Sequence, residues 1–113
     1  MAEEAGGVRS FQSYTAAKRA LGSRPGQELH HIVEQCQAKP ERSGLPVERV
    51  NTTDNFVWLP VPAHRRISAH YSQHLPGTNQ RVRDVLTGND WDRQYRYGER
   101  AVSRELRKEE ESP

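Results

Sequence analysis

Cysteine is almost missing from this chain. Cys36 is the only one, which excludes an internal disulfide and any cysteine-based zinc site. A reduced compartment is the simplest place for such a chain to act. Long apolar runs are missing too: none approaches the roughly 18 residues needed to span a bilayer, so no membrane-spanning helix is expected. The start, Met1-Ala-Glu-Glu-Ala-Gly-Gly7, is acidic and carries no hydrophobic stretch, so no secretory signal is expected. Apolar residues make up 33% of the 113 positions, and the mean hydropathy is strongly negative. A single small domain with a thin core follows, the kind that often leans on a metal or a partner. No internal repeat or low-complexity segment stands out.

Charge is present in quantity but unevenly placed. The formal net charge is +2. Glu3, Glu4, Glu109, Glu110 and Glu111 lie in the two tails; residues 5–108 hold 17 basic against 10 acidic side chains. Fourteen of the basic residues are arginine. Guanidinium forks onto phosphate oxygens and is weakly hydrated, which suits a nucleic-acid backbone. A soluble surface of mixed charge has the same composition.

The pattern along the chain predicts an α+β fold. Residues 1–9 read as a flexible leader and 109–113 as an acidic tail, with one domain over 10–108. Phe11, Tyr14, Ala17 and Leu21 recur at helical spacing, predicting a helix over 11–21 that Gly22-Ser-Arg-Pro-Gly26 stops. A strand is expected over Glu28–Val33, a long connection over 36–54, and a second strand over Asn55–Leu59. Pro62 suits the first turn of a helix running to His74, ended by Leu75-Pro76-Gly77. Two further helices are expected within 78–108: Asn79–Leu86, and Asp90–Lys108 with Trp91, Tyr95, Val102 and Leu106 as its apolar members. The centre, about 27–75, is a β-β-α unit.

Chemistry concentrates on His30-His31, Asn55 and His64. Imidazole binds a divalent cation or takes a proton near neutral pH, and a one-metal phosphodiester cutter needs both jobs done side by side. Adjacent residues of a regular strand point to opposite faces. His30 and His31 therefore serve one site only if the strand ends or bulges there. On the third helix, Ile67, Ser68 and Tyr71 share a face with His64, while His70 falls about 120° around. His70 and His74 share a different face, as a two-histidine site or as solvated side chains. Asn55 either pins the loop that carries His31 or caps a turn. Glu28 shares a strand face with His30, which makes it the best carboxylate to stand near an ion. Glu34 is either a carboxylate that orients an imidazole or an exposed loop charge. Arg65 and Arg66 either hold flanking phosphates or form a solvated helix face.

Taken together, Glu28-Leu-His30-His31-Ile-Val-Glu-Gln35, Asn55-Phe-Val-Trp-Leu-Pro60 and His64-Arg-Arg-Ile-Ser-Ala-His-Tyr-Ser72 resemble the HNH/endonuclease VII nucleases. The likeness is to the doubled-histidine (LHH/EHHH-like) branch found as toxin domains of bacterial polymorphic toxins and secreted effectors. The tail Asp90-Trp-Asp-Arg-Gln-Tyr-Arg-Tyr-Gly98 resembles the segment that closes such domains. The resemblance implies a small ββα-metal core, treble-clef-like but without a cysteine zinc site, flanked by helices. By position it implies His30 and His64 as metal ligands, His31 as the general base and Asn55 as the tether of the base-bearing loop. Many relatives carry another ligand one turn after His64; here that position is Ser68, a weak ligand, and His70 would substitute only if the helix bends. The implied cofactor is one divalent ion, with Mg²⁺, Mn²⁺, Ni²⁺ and Zn²⁺ all open.

The resemblance implies an endonuclease that hydrolyses DNA with little sequence specificity, delivered by a secreted effector into the cytoplasm of a target cell. It also implies an acidic immunity protein as partner, and no membrane. An RNase toxin and a non-catalytic nucleic-acid- or protein-binding module are the competing readings.

Overall fold

The computed structural model describes residues 7–111. The rest of the expected leader (1–6) and of the expected tail (112–113) lies outside the described residues. Helix α1 spans Tyr14–Leu21, strand β1 Gln27–His31, helix α2 Val47–Val50, strand β2 Phe56–Pro60, and helices α3, α4 and α5 Val61–Ser72, Val82–Leu86 and Trp91–Glu111. Short 3-10 turns occupy Gln35–Ala38 and Thr53–Asn55. The fold is α+β, with a two-stranded antiparallel sheet.

Local chemistry accounts for most boundaries. Helix α1 starts at Tyr14 rather than Phe11 because the Ser13 hydroxyl accepts the Ala16 N–H at 3.0 Å, a side-chain cap that fixes the first turn. Gly22, at φ 80°, ends it in a conformation that costs other residues steric strain. Helix α3 starts at Val61, with Pro62 in its first turn, where the missing N–H leaves no bond unmade. Helix α5 is set by Asp90, whose carboxylate accepts the Arg93 N–H at 2.9 Å.

Several expectations need correction. The end of the leader is tied down: the Thr53 N–H donates to the Arg9 carbonyl at 2.8 Å and the Arg9 N–H to the Thr53 hydroxyl at 3.0 Å. Part of the acidic tail is helical, since α5 continues to Glu111. The long connection between the strands is broken by α2 and the two turns. β1 stops at His31 instead of Val33, and α4 starts at Val82 instead of Asn79.

The sheet pairs His30 with Val57 and His31 with Phe56. Alternation then sends Glu28, His30, Val57 and Leu59 to one face and Leu29, His31, Phe56 and Trp58 to the other. On the first face α3 closes the core, where Leu59, Ile67, Tyr71, Val82 and Val102 form the buried cluster. On the second, Phe56 packs beside Tyr14 of α1, with ring centres 6.2 Å apart. Arg24 caps Trp58 from outside at 4.9 Å.

Helix α5 contacts α3 through a face that hydropathy misplaces. Its buried residues are Gln94, Gly98, Ala101, Val102 and Glu105. Of the four expected apolar members only Val102 is fully buried; Trp91, Tyr95 and Leu106 are half-buried. Gly98 explains part of the choice. A Cβ there would stand 2.2 Å from the Ile32 carbonyl oxygen, so the helix lies against the backbone just beyond the histidine pair.

Candidate active site

The two histidines diverge as strand geometry requires, yet both border one cleft because β1 ends between them and the loop. That cleft, of about 870 Å³, is walled by His30, His31, Glu34, Asn51, His64, Ser68, Tyr71 and Arg83 among others.

On the α3 side, the His30 and His64 rings meet edge to face with centres 5.1 Å apart. His64 Nδ1 donates to Glu28 Oε1 at 2.7 Å. An ionised carboxylate only accepts, so the proton sits on Nδ1 and the lone pair on Nε2. His30 is 5% exposed, and its Nε2 is a buried polar atom with no hydrogen-bond partner. Leaving such an atom unpaired costs about 1–3 kcal/mol. Burial, and then the neighbouring His64 and His31, push the His30 imidazole down to about 3, so it stays neutral.

These residues fit a divalent ion. Two imidazoles bound at about 2.1 Å with a near-tetrahedral angle would have ring centres about 5 Å apart. The orphaned Nε2 of His30 and the oriented ring of His64 supply two nitrogen donors. Among the described residues no group of three or more His, Cys, Asp or Glu side chains forms a complete cage. Oxygen ligands from water and substrate would complete the coordination, as hard cations accept. Ser68 is exposed on the His64 face and lines the cleft. His70 does not join them: its Nε2 pairs with the Tyr97 hydroxyl at 2.6 Å, so the sequence-based alternative of His70 as a ligand is not supported by its placement.

On the other face, His31 is held between Tyr14 and Phe56, with ring centres 4.7 and 4.8 Å away. Asn51 Oδ1 stands 2.9 Å from His31 Nε2. The Asn51 amide nitrogen donates to the Val47 carbonyl at 3.1 Å, which leaves Oδ1 as an acceptor for the Nε2 proton. Nδ1 of His31 is therefore the basic nitrogen. Burial lowers the affinity of this ring for a second proton, the Asn51 bond works against that, and a second proton would also be disfavoured by the neighbouring His64 imidazole. Asn51, 1% exposed, escaped the sequence reading. It lies in a polar connection with no spacing signal, and only the folding back of α2 brings it to His31.

Asn55 is the last residue of a 3-10 turn rather than the first of β2. Its side chain is fully buried. Oδ1 accepts the Val33 N–H at 2.8 Å, and Nδ2 donates to the carbonyls of Val33 at 3.1 Å and Val50 at 2.9 Å. The Ile32 N–H donates to the Asn55 carbonyl at 2.8 Å. One residue thus clamps the segment that follows the histidine pair to the segment that carries Asn51.

The charged residues divide differently from expectation. Among the described residues Glu34 bonds no imidazole; Arg83 grips it, with Nη2 to Oε2 at 2.8 Å, and Arg83 also reaches Ser72 at 3.1 Å. Arg66 is not free for phosphate. It donates to Glu105 at 2.6 Å and Glu109 at 2.7 Å, tying α3 to α5. Arg65 is exposed and makes no ion pair among the described residues.

Among the described residues no helix is long and apolar enough to cross a membrane. No protein-family model, no curated protein and no solved structure matches this chain.

Proposed function

We propose that this chain is a metal-dependent endonuclease of the ββα-metal type, hydrolysing DNA phosphodiester bonds with little sequence preference as the toxin domain of a secreted bacterial effector. The observation that carries the reading is the orphaned, buried Nε2 of His30 beside a His64 ring oriented by Glu28, on the rim of the cleft that His31 also borders. Glu28, His30 and His31 come from β1 and His64 from α3.

A divalent ion held by His30 and His64 would neutralise charge on the scissile phosphate and on the leaving 3′ oxygen. The protein supplies the rest. His31, neutral and held by Asn51, accepts at Nδ1 the proton of a water whose oxygen forms the new bond to phosphorus. The P–O3′ bond breaks, and the leaving oxygen takes a proton from solvent. Asn55 keeps the His31 loop in register for that transfer. Arg65, beside His64 and without an ion pair among the described residues, is the side chain best placed to hold a flanking phosphate; Arg66 is engaged by Glu105 and Glu109. No recognition helix stands out in the sequence, which favours cutting without strong sequence choice. An acidic immunity protein is the expected partner, matched to the excess of arginine.

The test is plasmid DNA with purified protein and Mg²⁺, Mn²⁺, Ni²⁺ or Zn²⁺, against EDTA and against His31→Ala. Metal-dependent nicking that both controls abolish is expected. Undiminished nicking by His31→Ala would remove it as the base. Intact plasmid with every ion, together with cut RNA that EDTA does not protect, would replace the proposal with a ribonuclease.

A further inference from the structure

Helix α5 carries a feature that the cleft does not use. Arg93, Arg96, Arg100, Arg104 and Arg107 recur every three or four residues. At about 100° per residue they fall within a sector about 80° wide, centred about 140° from the buried face of the helix. Arg93, Arg96, Arg100 and Arg107 are exposed, and their guanidinium groups make no hydrogen bond or ion pair among the described residues. Arg104 is half-buried and donates to Glu105 at 3.3 Å, so it joins the line with one side already engaged. The helix places its other acids elsewhere: Asp92, Glu99 and Glu110 lie on the flank, about 80° or more from the centre of the line. Only Glu111 shares it, at the far end.

From this we infer that the arginine line of α5 is a docking surface for the phosphate backbone of duplex DNA, separate from the hydrolytic cleft. The choice of DNA rests on the proposed function; the surface itself does not depend on catalysis. Within the line, Arg96, Arg100 and Arg104 follow one another at i and i+4 and repel, a cost that a polyanion would remove; within α5, opposite charges at such spacings flank only Arg96 and Arg107. The line is about 21 Å long, and a duplex carries a charge every ~1.7 Å of axis, so every guanidinium can find a phosphate. All five members are arginine and none is lysine, which suits forked donation to phosphate oxygens.

The experiment is fluorescence anisotropy of a labelled short duplex in EDTA, where no cutting occurs, with the intact chain. The comparison is the Arg93→Ala, Arg96→Ala, Arg100→Ala, Arg107→Ala combination and its all-lysine counterpart. The alanine variant should bind at least about tenfold more weakly near 0.1 M salt, with a log–log salt slope shallower by about 3 to 4; the lysine variant should recover most of the slope. The replaced side chains are exposed, and circular dichroism checks that the helix persists. Equal affinity and slope in wild type and alanine variant would overturn the inference, even if metal-dependent nicking is intact. Binding that follows the arginines in a protein that never cuts would leave the inference standing and remove the nuclease reading instead. Tighter binding of poly-glutamate than of duplex, lost in the alanine variant, would assign the line to an acidic protein and overturn the DNA assignment.

Discussion

Glu28 decides which nitrogen of His64 is available. By accepting the Nδ1 proton at 2.7 Å it turns the Nε2 lone pair outward and holds the ring against His30. Glu28→Gln keeps the size but removes the charge that strengthens this bond. Such partners of a ligating imidazole typically contribute 10–100-fold in metal affinity. Titration calorimetry with Mn²⁺ or Ni²⁺ should show a loss of about that size with unchanged thermal unfolding of the metal-free protein; equal affinities would remove Glu28 from the site. Asn55 is a structural counterpart. Asn55→Ala would strand one N–H and two carbonyls in the interior, a loss of about 3 kcal/mol or more in urea unfolding. At this scale the sequence was legible where a residue type is rare and chemically committed. His30, His31, His64 and Glu28 could be picked out from type and spacing, and Asn55 from its tethering chance. Asn51 could not, because its role exists only through a contact across 20 positions. Arg66 and Glu34 were misjudged for a related reason: a charge reads as available until its partner is known, and those partners, Glu105 and Arg83, come from distant helices.

Among the elements, α5 is the one whose orientation composition obscures. The apolar members expected from its sequence centre about 70° away from the face that is buried. Three features turn it. Gly98 lets the helix approach the Ile32 backbone. Gln94 satisfies itself internally, donating to Ser43 at 3.0 Å and the Asn89 carbonyl at 2.9 Å. Glu105 is neutralised by Arg66, Arg104 and Lys108. Trp91 is left to stack beneath Arg49 at 3.8 Å. Period alone therefore located the helix but not its inner face, since that face is made of glycine and paired polar groups. Gly98→Ala tests this. Alanine favours an isolated helix by about 1 kcal/mol, so a neutral site would gain stability. The clash with the Ile32 carbonyl predicts a net loss of about 2 kcal/mol instead, read as a lower urea midpoint, together with weaker nicking as the histidine segment shifts. A stabilised Gly98→Ala protein would contradict the contact. The strands are simpler. Alternation separates Val57 and Leu59 from Phe56 and Trp58, but which pair is inner comes only from the packing of α3, which takes Val57 and Leu59 into the core.

For the whole molecule, stability hinges on how α3 and α5 share charge. Glu105 is 3% exposed. Burial pushes its carboxyl up, but hydrogen bonds from Arg66, Lys108 and Arg104 outweigh burial and hold it below the ordinary carboxylate range. A carboxyl depressed on folding binds fewer protons in the native than in the unfolded state. Its contribution is complete above the unfolded value and is lost as pH falls through the folded one. Urea midpoints should therefore drop as the medium is acidified below the usual carboxylate range. Glu105→Gln should be less stable near neutrality and show a shallower drop; identical pH slopes would remove Glu105 as the cause. The same packing ties the histidine segment to α5, since Ile32 rests against Gly98. On the proposed function, a chain without α5 keeps its histidines but lacks the wall behind Ile32, and is expected not to cut DNA. A chain ended at residue 89 should show fast hydrogen exchange at the Ile32 and Val33 amides and leave plasmid intact. On the proposed function, packing of α5 would then be the step that completes the cleft.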